Sequence, residues 1–311
     1  MSKGEKVLVI DNLSLPSCKL NIKQFKKSKN FLFKKIDIIN YKRIEEVFEQ
    51  HTPSSVINLA AETHVDKSIL NPVNFVKSNI YGVFNLLEIS RNYYNKLNRS
   101  KKNKFKFIHI STDEVYGSLK SNSKKFTESN KYLPSSPYSA SKASSDHLVN
   151  AWYKTYGLPT VISNCSNNFG PHQYFEKLIP LTIINALNNE NIPIYGKGHQ
   201  IRDWLYVKDH CDAIYKLLKF GAIGETYNIG GGNEKSNNDT VRSICSYLDK
   251  IRPLNKKKKY SDLIVHTKDR PGHDLRYAVN SHKIKKQLNW RPKYNFQLGI
   301  NETVEWYLAI E

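Results

Sequence analysis

Two short stretches of this chain carry side chains suited to acid–base and redox chemistry. In the first, Ser111-Thr112-Asp113-Glu114, a hydroxyl and two adjacent carboxylates follow a short apolar run. The second, Tyr138-Ser139-Ala140-Ser141-Lys142, opens a helical pattern, so its tyrosine and lysine lie on one helix face. A nearby ammonium favours the phenolate, which lets a tyrosine act as a base near neutral pH. We expect the two stretches to face one another across a bound substrate.

The spacing Tyr-x-x-x-Lys is weak by itself, because a chain with 19 tyrosines supplies it by chance. Context distinguishes Tyr138: the segment Pro134-Ser135-Ser136-Pro137 precedes it, and only small residues separate it from Lys142. We therefore favour a catalytic role for this pair. The same spacing occurs twice more, at Tyr116/Lys120 and Tyr215/Lys219.

Asp113 and Glu114 are the less common feature. The surroundings of adjacent carboxylates on an irregular turn can push their pKa values apart, so that one stays an acid and the other a base. This arrangement suits elimination of water, in which a base takes a carbon-bound proton and an acid protonates the departing hydroxyl. The alternative is a solvated pair in a loop, which would carry no chemistry.

Apolar runs of strand length alternate with helical patterns along the first half of the chain. This order predicts an α/β fold with a doubly wound, Rossmann-like parallel sheet and right-handed crossovers. The first run is predicted as a buried parallel strand that ends in Asp11. A smaller C-terminal α/β lobe follows, so we predict domains at 1–170 and 171–311, between which the chain can cross. The predicted strands are 6–10, 31–33 with 36–38, 55–59, 105–110 and 159–163, and the predicted helices are 41–50, 72–89 with an interruption at Gly82, and 139–156.

Composition limits the class of protein. The 311 residues include 48 Lys and Arg against 28 Asp and Glu, a net charge of +20. No nucleic-acid-binding motif accompanies the lysines, so we expect no nucleic-acid partner and interpret the charge as attraction for a phosphate-bearing substrate. No apolar run reaches the length of a membrane helix and no signal peptide is evident, so we expect a cytoplasmic protein. The four cysteines are far apart, so neither a disulfide framework nor a metal site is expected.

These motifs resemble those of the extended short-chain dehydrogenase/reductase family, and within it the dTDP-glucose 4,6-dehydratases. The resemblance covers nearly the whole chain. Epimerases and decarboxylases of the family usually lack the Asp-Glu pair, so Thr112-Asp113-Glu114 is the discriminating piece. The motifs that carry the resemblance are residues 60–66, 111–117, 138–142, 165–171, 202–207 and 269–274.

The resemblance implies a dehydration with NAD as cofactor. Tyr138 would deprotonate the glucose 4-hydroxyl, to which Thr112 hydrogen-bonds, while hydride passes from C4 to NAD. Glu114 would remove the C5 proton as Asp113 protonates the C6 hydroxyl and water leaves. Hydride would return to C6, giving a 4-keto-6-deoxy sugar. Lys142 would lower the pKa of the tyrosine and hold the nicotinamide ribose.

The resemblance also implies the binding residues and the assembly. Arginine suits a sugar nucleotide because its planar, permanently charged fork matches a diphosphate. Family members pair two long helices from each subunit, so we expect a homodimer through the helices around 72–94 and 139–156. The resemblance also implies rhamnose biosynthesis as the pathway. The cofactor-binding positions are Asp11, Asp37, Ile38, Ala60, Ala61, Ser78, Tyr138, Lys142 and Asn168, and the substrate-binding positions are His64, Thr112, Asn167, Lys177, Leu178, Arg202, Asn237, Asp269, Arg270 and His273.

One feature departs from the family. Its members begin with a strand and a Gly-x-x-Gly-x-x-Gly turn that binds the pyrophosphate. Before Gly82 this sequence has only Gly4, and its first run aligns with the family's second strand. We therefore expect an empty sheet position, weak NAD retention and reduced stability, from a misplaced start codon, a truncated gene or a remnant of an incomplete domain. The alternatives for function are a related epimerase or dehydratase acting on a UDP-sugar, and an inactive remnant that binds nucleotide sugar without turnover.

Overall fold

Parallel strands joined by helices form the larger part of the protein, as the alternating pattern predicts. The structure is a computed structural model that describes residues 3–15, 17–254 and 258–310. Residues 1, 2 and 311, at the outer limits of the two predicted domains, lie outside the described part. The strands are β1 (Val7–Asp11), β2 (Phe31–Lys35), β3 (Ser55–Asn58), β4 (Lys106–Thr112), β5 (Thr160–Cys165), β6 (Asn167–Phe169), β7 (Ile192–Tyr195), β8 (Ile201–Tyr206), β9 (Thr226–Ile229), β10 (Glu234–Ser236) and β11 (Ile264–Thr267).

Helices connect and cover these strands. A π-helical stretch (Val76–Gly82) separates α4 from α5, and two 3₁₀ turns occur at Asp113–Tyr116 and Tyr260–Leu263. No helix in the described ranges has both the length and the apolar character needed to cross a membrane. The α-helices are α1 (Ser17–Lys23), α2 (Tyr41–His51), α3 (Val65–Leu70), α4 (Pro72–Phe75), α5 (Val83–Lys96), α6 (Arg99–Lys102), α7 (Pro137–Tyr156), α8 (Leu178–Leu187), α9 (Val207–Phe220), α10 (Asn237–Ile251), α11 (His282–Leu288) and α12 (Phe296–Ile310).

A four-stranded parallel sheet in the order β3-β4-β5-β9 lies at the centre. Its side chains alternate between two apolar layers, as the pleat requires. Phe107 of β4 packs on one face with α2, α5 and α7, whereas Ile108 packs on the other with α9 and α11. Because both faces are covered, the strand reads as a continuous apolar run. The predicted α/β fold with a parallel sheet is confirmed.

β1 and β2 form a separate two-stranded parallel sheet. The prediction that β1 is buried is wrong: all five of its residues are half-buried, and only Leu8 and Ile10 pack against the core shared with α2 and α5. The second predicted strand is also shorter than expected. It ends at Lys35, because Asp37 accepts a hydrogen bond from the backbone of Ile39 in a turn of its own.

The second lobe contains two small sheets, β10-β8-β6 and β11-β7. α8, α10 and α12 pack around its core, with Ile183, Ile244 and Ile300 fully buried. The chain crosses between lobes, because β9 joins the central sheet while α9 and α11 pack against it. The predicted domain boundary at residue 170 stays a prediction.

The helix predicted from residue 72 to residue 89 is divided into α4, the π-helical stretch and α5. Within the π-helical stretch, Asn79 is fully buried and bonds both backbone groups of Glu62 and the Ser141 hydroxyl. Gly82 is the last residue of the stretch, and the Ile38 side chain lies directly against it. The wide turn thus ties the segment after β3 to α7, which carries the tyrosine and lysine.

Substituting Gly82 with alanine should lower the free energy of unfolding by about 1–3 kcal/mol. An added Cβ would lie 2.5 Å from Cδ1 and 2.6 Å from Cγ1 of Ile38, so the buried isoleucine must leave its position. Urea denaturation followed by circular dichroism measures the change. Lys77→Ala, in the same stretch but exposed, is the control and should unfold like the wild type. Equal stabilities for the two variants would contradict the close contact.

Candidate active site

The first chemical stretch lies where β4 ends. Thr112 caps the following 3₁₀ turn, its Oγ1 accepting a hydrogen bond from Glu114 N at 3.3 Å. Gly117 ends the turn with φ of 86°, and a Cβ there would overlap the Leu133 carbonyl oxygen. Glycine is therefore required at this position. The turn places Asp113 and Glu114 at the carboxyl edge of the central sheet, where ligands bind in open α/β folds.

The second stretch lies at the start of α7, as predicted. Ser136 caps the helix, and it forms a capping box with Ser139. Gly157, in the left-handed conformation, ends the helix where the sequence places its stop. This cap fixes the first two turns of the helix, from which Tyr138 and Lys142 project.

Tyr138 lies beside the end of β4. Its phenol is buried, which raises its pKa well above the usual value, and the nearby Glu114 carboxylate raises that pKa further, whereas the Thr112 side chain lowers it. That Lys142 lowers this pKa stays a prediction, because burial and Glu114 are the strongest influences on the phenol in the described structure. The Lys142 ammonium donates to the Ile110 carbonyl at 2.7 Å.

The two carboxylates, of which Asp113 is buried and Glu114 half-buried, have different surroundings. Burial raises the pKa of Asp113 well above its usual value, and the adjacent Glu114 raises it further. Burial also raises the pKa of Glu114, but Arg202, Arg270 and Lys177 oppose this by attracting its negative charge. Asp113 is therefore the group that retains a proton, in the direction the sequence predicts. Its Oδ2 has no hydrogen-bond partner in the described structure.

Three of the predicted substrate-binding cations approach Glu114. Arg202, on β8, is buried with its guanidinium 4.3 Å from the centre of the Tyr277 ring. Arg270 lies 3.8 Å from Asp66, and Lys177 donates to the Thr63 carbonyl at 2.9 Å. Such a cluster suits a diphosphate, which carries its negative charge on several oxygens.

The other predicted substrate-binding residues surround these cations or begin the neighbouring helices. Asp269 accepts a hydrogen bond from His273 at 2.6 Å and one from the Arg270 backbone at 2.9 Å. His64 caps α3 by accepting from Lys67 N at 3.4 Å. The structure places Asn167 on β6, Leu178 at the start of α8 and Asn237 at the start of α10.

The predicted cofactor-binding residues lie along the ends of β1, β2, β3 and β6. Asp11 accepts from Leu13 N at 2.6 Å, and Asp37 accepts from the Asn12 side chain at 2.9 Å. Ala60 and Ala61 follow β3, whereas Ser78 lies half-buried in the π-helical stretch. That Ile38 contacts the cofactor stays a prediction; its side chain is buried against Gly82.

Unpartnered polar atoms test whether this edge fits NAD. The side-chain oxygens of Asn167 and Asn168 are buried and have no hydrogen-bond partner in the described structure. Both lie on β6, directly after the strand that carries Cys165. Amide oxygens of this kind need a donor, which a bound ligand can supply. Asn168, a predicted cofactor-binding residue, therefore offers an acceptor that a donor group of NAD could satisfy.

Sequence reasoning missed Tyr277. Its hydroxyl hydrogen-bonds the Asp274 carboxylate and lies 3.5 Å from Glu114 Oε2, while its ring stacks on Arg202. The available signal was its position just after the 269–274 motif. Two fully buried titratable residues, His109 and Asp146, were also missed. Their signals were a histidine inside an apolar strand and an aspartate one helical turn beyond Lys142.

The chain matches known proteins over nearly its full length. The profile of a family described as GDP-mannose 4,6 dehydratase covers residues 1–303. A dTDP-glucose 4,6-dehydratase 1 of Escherichia coli (strain K12) is 51% identical over 313 residues, which span 98% of this chain and 86% of that protein.

Solved structures of proteins with the same name share the architecture of this chain. A dTDP-glucose 4,6-dehydratase from Bacillus anthracis in complex with NAD superposes with a TM-score of 0.85 at 40% identity, covering 99% of this chain and 89% of that one. The enzyme of that name from Streptomyces venezuelae, with NAD bound, superposes with a TM-score of 0.88 at 34% identity, covering 98% and 88%.

Proposed function

The chain belongs to the dTDP-glucose 4,6-dehydratase family, and from this premise we propose that it converts dTDP-glucose to dTDP-4-keto-6-deoxyglucose with NAD as cofactor. The observation that carries the proposal is the pair of a buried Asp113 and a half-buried Glu114 near Tyr138, with different electrostatic surroundings. An epimerase needs no such pair, because it eliminates no water. A UDP-sugar as substrate is the alternative that the test below addresses.

The residues divide the chemistry as follows. NAD, when bound, would supply the acceptor for the hydride of C4 and the hydride donor for C6. Tyr138 takes the proton of the 4-hydroxyl, and the Thr112 hydroxyl beside the phenol holds that oxygen. Glu114 then removes the proton from C5, which the new ketone has acidified. Asp113 gives its proton to the C6 hydroxyl, which leaves as water.

We propose binding roles for the remaining predicted residues on the same premise. Asp11 and Asp37 bind the adenosine end of NAD, and Ala60 and Ala61 allow it to approach the backbone closely. The cations beside Glu114 hold the diphosphate of the substrate. Because Arg270 and Lys177 already contact Asp66 and Thr63, binding exchanges existing contacts for phosphate oxygens. Residues 1–170 then supply most of the cofactor site and residues 171–311 most of the substrate site.

The proposed reaction is tested by incubating the purified chain with NAD and either dTDP-glucose or UDP-glucose in D₂O. Mass spectrometry of the sugar nucleotide should show loss of one water from the dTDP-sugar and incorporation of solvent deuterium at C5. Water loss only from UDP-glucose would support the alternative substrate. A 4-epimerised product would contradict a dehydratase, and binding without any change would support an inactive remnant.

We also propose a cytoplasmic enzyme that supplies rhamnose biosynthesis and acts as a homodimer. Rhamnose and the cytoplasm rest on the resemblance of the motifs. The dimer rests on a partly exposed aromatic strip along the π-helical stretch, α5 and α7, formed by Tyr81, Phe84, Trp152 and Tyr156. Tyr81 stacks on Phe84 at 6.0 Å, and Phe84 meets Trp152 edge-on at 5.8 Å. Tyr81 is 52% exposed and Tyr156 is 45% exposed, an apolar surface suited to a second copy of the chain.

Substituting Phe84 with glutamate should weaken the dimer by at least about 100-fold, since a charge would be buried at the centre of the aromatic strip. Sedimentation velocity over a concentration series measures the monomer fraction. Phe220→Glu is the matched control, because Phe220 is 70% exposed at the end of α9, which packs on the opposite face of the central sheet from α5 and α7. A Phe84 variant that stays dimeric at the same concentrations would show that the subunits meet elsewhere.

A further inference from the structure

Beneath the catalytic residues lies a cluster of buried polar side chains that the proposed reaction leaves without a role. Asp146 is fully buried on α7, one turn beyond Lys142. Its Oδ2 accepts the Ser111 hydroxyl at 2.8 Å, and its Oδ1 lies 3.4 Å from Nε2 of His109. The Lys142 ammonium lies 3.5 Å from the same ring nitrogen. His109 thus stands between the buried carboxylate and the buried ammonium.

We propose that Asp146 is a positioning residue of the dehydration site, where its carboxylate keeps the Lys142 ammonium charged and held against the Ile110 carbonyl. The inference rests on the proposed function, because Lys142 serves Tyr138 only in that reaction. A buried ammonium is costly unless a carboxylate balances it. On this helix face the carboxylate is Asp146, whose negative charge opposes the lowering of the Lys142 pKa by burial.

The neighbouring groups leave the balancing role to Asp146. His109 is neutral, because burial lowers its pKa well below the usual value and the nearby Lys142 lowers it further. From β5, burial raises the pKa of the Cys165 thiol to about 12, which keeps it neutral. Tyr116 and Tyr132, from the segment after β4, have pKa values raised by burial and are neutral too.

His109 also connects this pair to the predicted cofactor loop. Its Nδ1 lies 3.2 Å from Asn58 Nδ2, and Asn58 Oδ1 accepts the backbone N–H of Ala60 at 3.2 Å. A continuous set of buried polar contacts therefore runs from the segment after β3, through β4, to α7. Every member lies on a strand or helix of the central fold or directly after one, so the set holds Lys142 rigidly.

The first test is the pH dependence of kcat for the wild type and Asp146→Asn. Without the carboxylate, Lys142 loses its proton at lower pH, so the alkaline limb should move down by about one pH unit. The KM for dTDP-glucose should change less than about threefold, because Asp146 does not touch the sugar site. Asp209→Asn is the control: Asp209 is also buried in a helix, but it caps the backbone of Lys293 and Tyr294. An unmoved limb in Asp146→Asn would overturn the proposal.

The second test needs no turnover and so separates this inference from the proposed function. Burial raises the pKa of Asp146 to about 6, above its value in the unfolded chain. The folded state therefore binds the extra proton between about pH 4 and 6, and stability from this group falls as pH rises through that window. Relative to Asp146→Asn, the wild type should lose unfolding free energy between pH 4 and 7 in urea denaturation.

Ser111→Ala provides a second way to test the proposal if Asp146→Asn folds poorly. Ser111→Ala keeps every charge but removes the hydrogen bond that stabilises the Asp146 carboxylate, so the same pH window should move upward. Parallel stability curves for the wild type and both variants would overturn the charge role of Asp146. A shifted window in a chain that does not turn over dTDP-glucose would uphold the buried pair and reject the proposed function instead.

Discussion

Tyr138→Phe is expected to lower kcat by about 10³-fold, because it removes the base that takes the proton from the 4-hydroxyl. The folded structure should tolerate the change. The Tyr138 ring packs edge-on against Phe75 at 6.3 Å, and a phenylalanine keeps that contact. Since the first step fails, neither water loss nor deuterium incorporation at C5 should occur.

Steady-state kinetics and mass spectrometry of the product measure this effect. Tyr215→Phe is the matched control, because Tyr215 and Lys219 repeat the Tyr-x-x-x-Lys spacing on α9, away from the carboxylates. This variant should keep wild-type kcat. If Tyr138→Phe retains more than about a tenth of the activity, another group must take the proton.

The second large effect is expected from substitution of the two carboxylates, because the two variants should be blocked at different steps of the reaction. Glu114→Gln removes the base, so both exchange of the C5 hydrogen and loss of water should fall by about 10²- to 10⁴-fold. Asp113→Asn removes the acid but keeps the base. Its water loss should fall by a similar factor, while solvent deuterium still enters C5.

The two variants are compared by following deuterium at C5 and water loss in the same D₂O reaction. The assignment also has a pH consequence. Glu114 must lose its proton to act as the base, whereas Asp113 must keep its proton to act as the acid. Burial raises the pKa of both groups. Activity should therefore fall toward acid as Glu114 is protonated. The reverse pattern, with exchange lost in Asp113→Asn and kept in Glu114→Gln, would exchange the two roles.

The sequence predicted those parts of the site that depend on local pattern. An apolar run predicts β4. A Ser-Pro pair marks the start of α7 and Gly157 marks its end, and each of these signals lies within a few residues. The contact of Tyr277 with Glu114 was not predictable in this way. It joins residues 163 positions apart, and no periodicity encodes it.

The electrostatics of Tyr138 also lay beyond the sequence. The four-residue spacing of Tyr138 and Lys142 suggested a lowered pKa, but the outcome depends on burial and on Glu114, which only the folded chain brings there. The π-helical stretch was missed for a similar reason. A turn of that width is stabilised by long-range contacts of Asn79 with Glu62 and Ser141, rather than by its own residues.

The separation of β1 and β2 from the central sheet has a consequence for local stability. In the described structure these strands pair with each other and not with the central sheet, and side-chain packing and one Lys34–Gln50 hydrogen bond join them to the neighbouring helices. A two-stranded unit is marginal by itself, so it should open as a unit at lower free energy than β4 and β5. Its amides should then exchange with solvent first in native-state hydrogen exchange. Because Asp11 and Asp37 lie on or just after these strands, a ligand held there would slow that exchange and report its own binding.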